Sequence, residues 1–214
     1  MPKSENREYR SMTMEAVRAE DESTEERRVA GYASTFDDPY VLFENDDIIY
    51  TEQIDRSAFD ECDMADVIMQ YDHAGRVFAR ISNETLSVTP DEQGLYVEAN
   101  LGGTDIGRQL YDEIAGGYTN KMSFGFTVDS DEELRTEAED GRVLITRTIT
   151  KIAKLYDVSA VSIPANNATT IGVATRSKID GAIEALLAER LEAEKLALAR
   201  KRAEVKAKAL TGRR

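Results

Sequence analysis

The chain changes character near residue 173, and that break limits its fold more than any other feature. From Ile179 to Leu210 it is mostly Ala, Leu, Glu, Lys and Arg, residues that lose little freedom in a helix. Before the break, short β-branched and aromatic runs alternate with Gly, Pro, Asp and Asn, the punctuation of strands and turns. A chain patterned this way is neither all helix nor all sheet. It reads as a mainly β body with helices (α+β), followed by a long C-terminal helix.

Three parts follow. Residues 1–26 are a polar N-terminal segment in which Glu8 to Val17 can form an edge strand. Residues 27–172 are the body. Residues 173–214 are a helical, basic extension. Its apolar stripe of Ile183, Leu187, Leu191 and Leu198 is narrow, so it is expected to pack on a partner or on another copy of itself. Residues 1–177 carry 17 Lys+Arg against 35 Asp+Glu, and residues 178–214 carry 10 against 6, within a net charge of −14. The acidic body repels nucleic acid, and no nucleic-acid partner is expected. No apolar run reaches membrane-spanning length, and the polar start lacks a secretory core. The single cysteine, Cys62, has no internal partner for a disulfide, and no Cys/His set exists for zinc. A soluble, reducing, intracellular setting without metal or cofactor is the expectation.

Within the body, Arg28 to Phe36 reads as a strand ending at Asp37-Asp38-Pro39. Further strands are expected at Asp47 to Ile54, Asp66 to Tyr71, Glu84 to Thr89 and Leu95 to Leu101. Met122 to Asp129 and Val143 to Lys151 should flank an acidic loop, Ser130 to Gly141, with Leu155 to Ile163 as the last strand. One short helix is expected over Asp55 to Cys62. Another starts after Thr104 as N-cap, places Ile106, Leu110 and Ile114 on one face, and stops at Gly116-Gly117.

The chain has one histidine, His73, at the end of a strand candidate. If it activates a nucleophile, the partner hydroxyl or thiol must come to this one imidazole. Ser123, in Lys121-Met122-Ser123-Phe124-Gly125-Phe126, is the candidate hydroxyl. Asp157 sits in a β-branched run where a carboxylate is costly unless partnered, by His73, an arginine or water. Asp72 competes as a carboxylate, although neighbours on an extended chain point to opposite faces. Cys62 with His73 is a formal alternative, discounted because surrounding acids raise a thiol pKa. No serine sits in a G-x-S-x-G elbow, no Walker A loop is present, Leu101 to Asp105 only weakly resembles an anion site, and the carboxylates lack calcium-loop spacing.

An ordered set of short stretches resembles the prohead (procapsid maturation) serine proteases of tailed bacteriophages. They are Arg27 to Phe36, Ile54 to Phe59, Tyr71-Asp72-His73 with Phe78 to Ile81, Gly94 to Ala99, Tyr111 to Gly117, Met122 to Phe126, and Asp157 to Val161 with Pro164-Ala165-Asn166. The resemblance covers roughly residues 7–170. It implies a fold like herpesvirus assemblin, a β-barrel wrapped by helices. By motif it makes Ser123 the nucleophile, His73 the general base and Asp157 the acidic third member, where a Glu is the family expectation. Arg80 is a candidate oxyanion helper. The implied substrates are scaffold, the scaffold-like part of the major capsid protein, and the protease itself, inside the assembling procapsid in the host cytoplasm. The alternatives are a catalytically inactive, protease-derived scaffold or capsid-assembly protein, and an unrelated β-rich binding module with an acidic surface.

Overall fold

A computed structural model describes residues 7–13, 27–162 and 173–211. The chain divides into two units, Met1–Ala174 and Thr175–Arg214.

The first unit is built on one mixed sheet whose spine is two long strands, β9 (Lys121–Glu137) and β10 (Val143–Val161), paired antiparallel. β1 (Glu8–Thr13) lies antiparallel along the outer edge of β9. On the other side β10 pairs in parallel with β4 (Ile48–Ile54), which pairs with β3 (Tyr40–Glu44). Farther along the same edge, β10 pairs in parallel with β5 (Ile68–Tyr71), which folds back on β6 (Ala74–Arg80). A second, three-stranded sheet has the order β2 (Arg28–Thr35), β8 (Gly94–Asn100), β7 (Leu86–Pro90). Helix α1 (Asp105–Ala115) follows Thr104, whose hydroxyl accepts from Gly107 N at 3.1 Å as an N-cap should.

The core follows the two-residue period of strands. Met122, Phe124 and Phe126 of β9 and Ile152, Leu155, Val158 and Ala160 of β10 point to one face, where they meet Val29, Leu95, Val97, Leu110 and Ile114. The alternate residues, Ser123 and Gly125 on β9 and Asp157 and Ser159 on β10, occupy the opposite face.

Several expectations are corrected. The fold is mixed α+β with a long C-terminal helix, but the described strands form two open sheets with free edges rather than a closed barrel. The acidic stretch from Ser130 is not a loop as far as Glu137, because β9 continues through it. Its acids have partners there: Asp131 accepts from Arg147, and Glu133 accepts from Tyr50 Oη at 2.5 Å. Val143 to Lys151 and the strand expected from Leu155 are one strand, kept together by parallel partners β4 and β5. Asp55 to Cys62 is a run of tight turns, not a helix. The Asp55 carboxylate accepts from Ser57 N at 2.8 Å, and Ala58, Asp60 and Cys62 N–H groups each bond the carbonyl three residues back. β3 and β6 were not anticipated. In α1, Gly107, Leu110, Tyr111 and Ile114 are the buried residues, and Ile106 is only half-buried. The expected strand residues Met14 to Val17 and Ile163, and the linker at Pro164, lie outside the described residues.

From Thr175 onward the described residues of the second unit are those of one helix, α2 (Val173–Thr211). Leu187, Leu191, Leu198 and Val205 are exposed along it. Among the described residues no helix is long and apolar enough to cross a membrane.

Candidate active site

Two rungs across three strands of the sheet assemble the site. In the register, Ser11, Ser123 and Ser159 face one another across β1, β9 and β10, and Tyr9, Gly125 and Asp157 form the next rung. Cross-strand neighbours share a face, so Ser123 and Asp157 lie diagonally on one surface. A bulge between Leu155 and Asp157 sets this arrangement. It inserts Tyr156 as an extra residue and turns Asp157 out of the core phase that Leu155 and Val158 occupy, a common use of bulges beside functional side chains.

Gly125 makes room for the second rung. A Cβ there would lie 2.6 Å from Asp157 Oδ1 and 2.8 Å from Tyr9 Cε1. Only a residue without a side chain lets the carboxylate and the tyrosine ring close over the strand.

His73 reaches this surface from the β5–β6 hairpin. Tyr71 pairs with Ala74, so Asp72 and His73 are the two central residues of the turn, with φ of 48° and 55°. Positive φ at both central positions is the type I′ pattern of two-residue hairpins, and Asp and His are among the non-glycine residues that tolerate it. Asp72 ties the turn down. Its N–H donates to Ala160 O at 2.9 Å, and its carboxylate accepts from Ser162 N at 2.9 Å and Ser162 Oγ at 2.8 Å. The competing carboxylate therefore holds the turn and does not contact the imidazole.

The ring bridges the two rungs. His73 Nε2 is 2.6 Å from Ser123 Oγ, and Nδ1 is 2.5 Å from Asp157 Oδ2. Ionised Asp157 only accepts, so Nδ1 carries the proton and donates to it, leaving Nε2 of the neutral ring to accept from Ser123. Tyr9 packs on the imidazole edge-on, with ring centroids 4.4 Å apart. Asp157 is fully buried. Its Oδ2 also accepts from Ser159 Oγ at 2.9 Å, while Oδ1 accepts no hydrogen bond and meets Arg7 Nη2 at 3.2 Å as an ion pair. Ser123 is fully buried too, and its Oγ is 2.7 Å from the backbone carbonyl of Arg10. The hydroxyl has one proton and two acceptors, and only the orientation toward Nε2 is productive for proton transfer.

The remaining candidates lie apart from these three. Arg80 occupies the far end of the hairpin, opposite Ile68, and its guanidinium pairs with Asp66 at 3.0 Å. Cys62 is half-buried among the turns after β4. Burial, with a smaller contribution from Asp63, pushes its thiol up to about 11, so it is protonated at neutral pH. Sequence reasoning missed Arg7, Tyr9, Gly125 and Ser159. Gly125 had a legible signal, since a glycine inside a strand marks close approach of another group. Ser159 had one as well, because it stands two residues from Asp157 on the same face. Arg7 and Tyr9 had none, since nothing local says that β1 lands on β9.

Residues 14–181 match the family described as caudovirus prohead serine protease. The chain belongs to that family. The matched segment contains His73, Ser123 and Asp157 and stops short of β1 at its N-terminal side. No curated protein and no solved structure matches the chain. Family membership points to a serine protease of phage capsid maturation, with capsid proteins as the class of substrate and the procapsid as the place of action.

Proposed function

We propose that this chain is a working endopeptidase in which Ser123, His73 and Asp157 act as nucleophile, general base and orienting acid. The observation that carries the reading is the continuous chain from Ser123 Oγ through both ring nitrogens of His73 to buried Asp157. Ser123 Oγ attacks the carbonyl carbon of a scissile peptide, and its proton passes to Nε2. Asp157 fixes the tautomer and stabilises the imidazolium. The tetrahedral intermediate collapses as Nε2 gives that proton to the leaving amine nitrogen, leaving an acyl-serine. Water then adds to the acyl carbon, its proton passing to Nε2, and collapse returns a proton to Ser123 Oγ as the carboxylic acid leaves. Asp157 is a methylene shorter than the Glu expected from the resemblance. Here Asp157, beside the bulge and over Gly125, still reaches Nδ1 at 2.5 Å.

The substrates we assign are scaffold, the scaffold-like part of the major capsid protein, and the chain itself, cleaved in the procapsid while it assembles in the host cytoplasm. The basic helix α2 serves self-association or recruitment to that shell. An inactive scaffold protein descended from a protease is the rival reading. It gives no reason to keep a buried carboxylate, an imidazole and a hydroxyl in hydrogen-bonded sequence. The test is co-expression with the cognate major capsid protein. The wild type should yield shortened capsid protein, and Ser123→Ala should yield only the full-length form. Equal processing by both would end the assignment, and processing by neither would favour the scaffold reading.

A further inference from the structure

Arg7, on the N-terminal side of the matched family segment, touches the acidic member of the triad. Its Nη2 lies 3.2 Å from Asp157 Oδ1, the carboxylate oxygen that accepts no hydrogen bond. The guanidinium is held in place by rings. Its Cζ stands 3.9 Å over Tyr156, the residue inserted by the bulge, and 5.7 Å from the centroid of Tyr9, which packs on His73. An arginine sandwiched in this way loses less freedom in forming its ion pair than a solvated one.

The strand behind Arg7 is anchored from the other face. Glu8 and Arg10 alternate with Arg7 and Tyr9, so they point toward the core. There Arg10 donates to Glu8 and Glu52, and Arg147 donates to Glu8 Oε2 at 2.9 Å and Glu52 Oε2 at 2.7 Å. Glu52 is wholly buried and Arg147 nearly so. Removing β1 would leave two oppositely charged groups in the core short of partners, which costs several kcal/mol. β1 is therefore a fixed part of the sheet, and Arg7 is presented to Asp157 by a clamped backbone.

We propose that Arg7 is a fourth, positioning member of this site: it holds Asp157 in line with His73 and, through its charge, sets the pH at which His73 serves as base. The proposal rests on the peptidase reading above. Among the described residues, the groups facing the pair are Ser123, Ser159, Tyr9 and Arg7, and of these Arg7 brings a positive charge. A cation beside Asp157 makes it harder for the Asp157–His73 pair to take up an extra proton, whichever partner holds it. Loss of that cation should therefore move the acid limb of the rate profile to higher pH.

The experiment uses the full chain and an alkyl fluorophosphonate, with acylation of Ser123 followed by mass spectrometry across pH. In the wild type the rate should rise with pH to a plateau, and that limb is the reference for the variants. No labelling of Ser123 in the folded wild type would overturn the peptidase reading, and this proposal with it. Given labelling, Arg7→Gln should slow acylation about 10- to 100-fold at neutral pH and shift the limb up by about 0.5–1 unit. Arg7→Lys keeps the charge without the stack. It should hold the limb within about 0.3 unit while losing part of the rate. In an Asp157→Asn background, Arg7→Gln should change the rate less than about 2-fold, because it acts through the carboxylate. A limb that stays in place in Arg7→Gln, or a rate loss undiminished in the Asp157→Asn background, would overturn the role assigned to Arg7. If Arg7→Gln does not fold, by circular dichroism and thermal melting, the same cycle with Arg7→Lys decides: its rate loss must vanish in Asp157→Asn.

Discussion

One sheet buries charge on both faces, and the two sites differ in how completely their polar groups are satisfied. On the core face, Glu8, Arg10, Glu52, Arg147 and Asp131 form a charge network with Tyr40, whose hydroxyl donates to Glu52 Oε1 at 2.6 Å. Burial disfavours the charge on Arg10, but the field and hydrogen bond of Glu52 more than offset this, so its pKa rises well above the ordinary value. Burial and Glu52 likewise raise Tyr40. Neither Arg10 nor Tyr40 therefore titrates near neutrality. On the opposite face, Ser123 has one proton and two acceptors, and Asp157 keeps an oxygen without a hydrogen bond. On the core face the arginine and tyrosine hold their protons, which suits structure. The opposite face leaves a proton free to move, which is what acid–base catalysis requires.

The sharpest way to test this contrast is to remove a charge from each side. Asp157→Asn keeps the volume but can donate to Nδ1 and stabilise the wrong tautomer. Turnover should fall about 10²–10⁴-fold, with unfolding free energy changed by no more than about 1–2 kcal/mol. Glu52→Ala should do the reverse. It takes from Arg10 and Arg147 the buried carboxylate they share, leaving each short of one partner in the core, and urea unfolding should show a loss of about 3–5 kcal/mol. Its rate, corrected for the folded fraction, should fall far less than that of Asp157→Asn. If Glu52→Ala proves the catalytic lesion and Asp157→Asn the unfolding one, the two faces have been assigned the wrong way round.

Gly125→Ala sharpens the comparison without touching any charge. The added methyl needs space already taken by Asp157 Oδ1 and Tyr9, at 2.6 and 2.8 Å from a Cβ. The carboxylate, the ring or the β1 backbone must shift, and a displacement near an ångström at such a site costs about 10²-fold in rate. A loss of about 10- to 100-fold in turnover is expected, together with about 1–3 kcal/mol of stability from overpacking. Wild-type turnover in Gly125→Ala would show that the second rung tolerates looser contact than its geometry implies.

The parts legible in the sequence were those whose signals are local. The Thr104 cap and the Gly116-Gly117 stop gave α1, and propensity gave α2. His73 stood out as the one imidazole of the chain and Asp157 as a carboxylate in a β-branched run that needs a partner, while the choice of Ser123 and the roles of all three came from the family resemblance. What was hidden depends on pairing. The acidity of Ser130 to Glu137 reads as loop until Arg147 and Tyr50 are seen to meet Asp131 and Glu133. His73 was placed after a strand, but its position within a two-residue hairpin turn depends on β6, whose Ala74 to Arg80 shows little alternation. The expectation of a closed barrel came from resemblance and not from any residue, and the edges of the two sheets remain open. Arg7 was invisible because its role depends on a register between strands more than a hundred residues apart.

The smallest expected effect concerns Cys62, the thiol that could formally have competed for His73. In the fold it lies away from the imidazole, in the turns after β4. Burial pushes its thiol up to about 11, opposed by a hydrogen bond with the Leu155 backbone and helped to a smaller degree by Asp63. The acids expected to suppress it therefore matter less than the apolar surroundings that remove water from the sulfur. Only the thiolate reacts with iodoacetamide, so alkylation of the native protein at pH 8 should be slower than that of a free cysteine by about 10- to 100-fold. It should speed up as pH rises toward 10, and should reach the free rate once urea exposes the residue. Cys62→Ala should leave Ser123 acylation unchanged within about 2-fold, since the thiol belongs to neither buried set. Rapid alkylation of the native protein at pH 8 that also abolished Ser123 labelling would show that Cys62 communicates with the site after all.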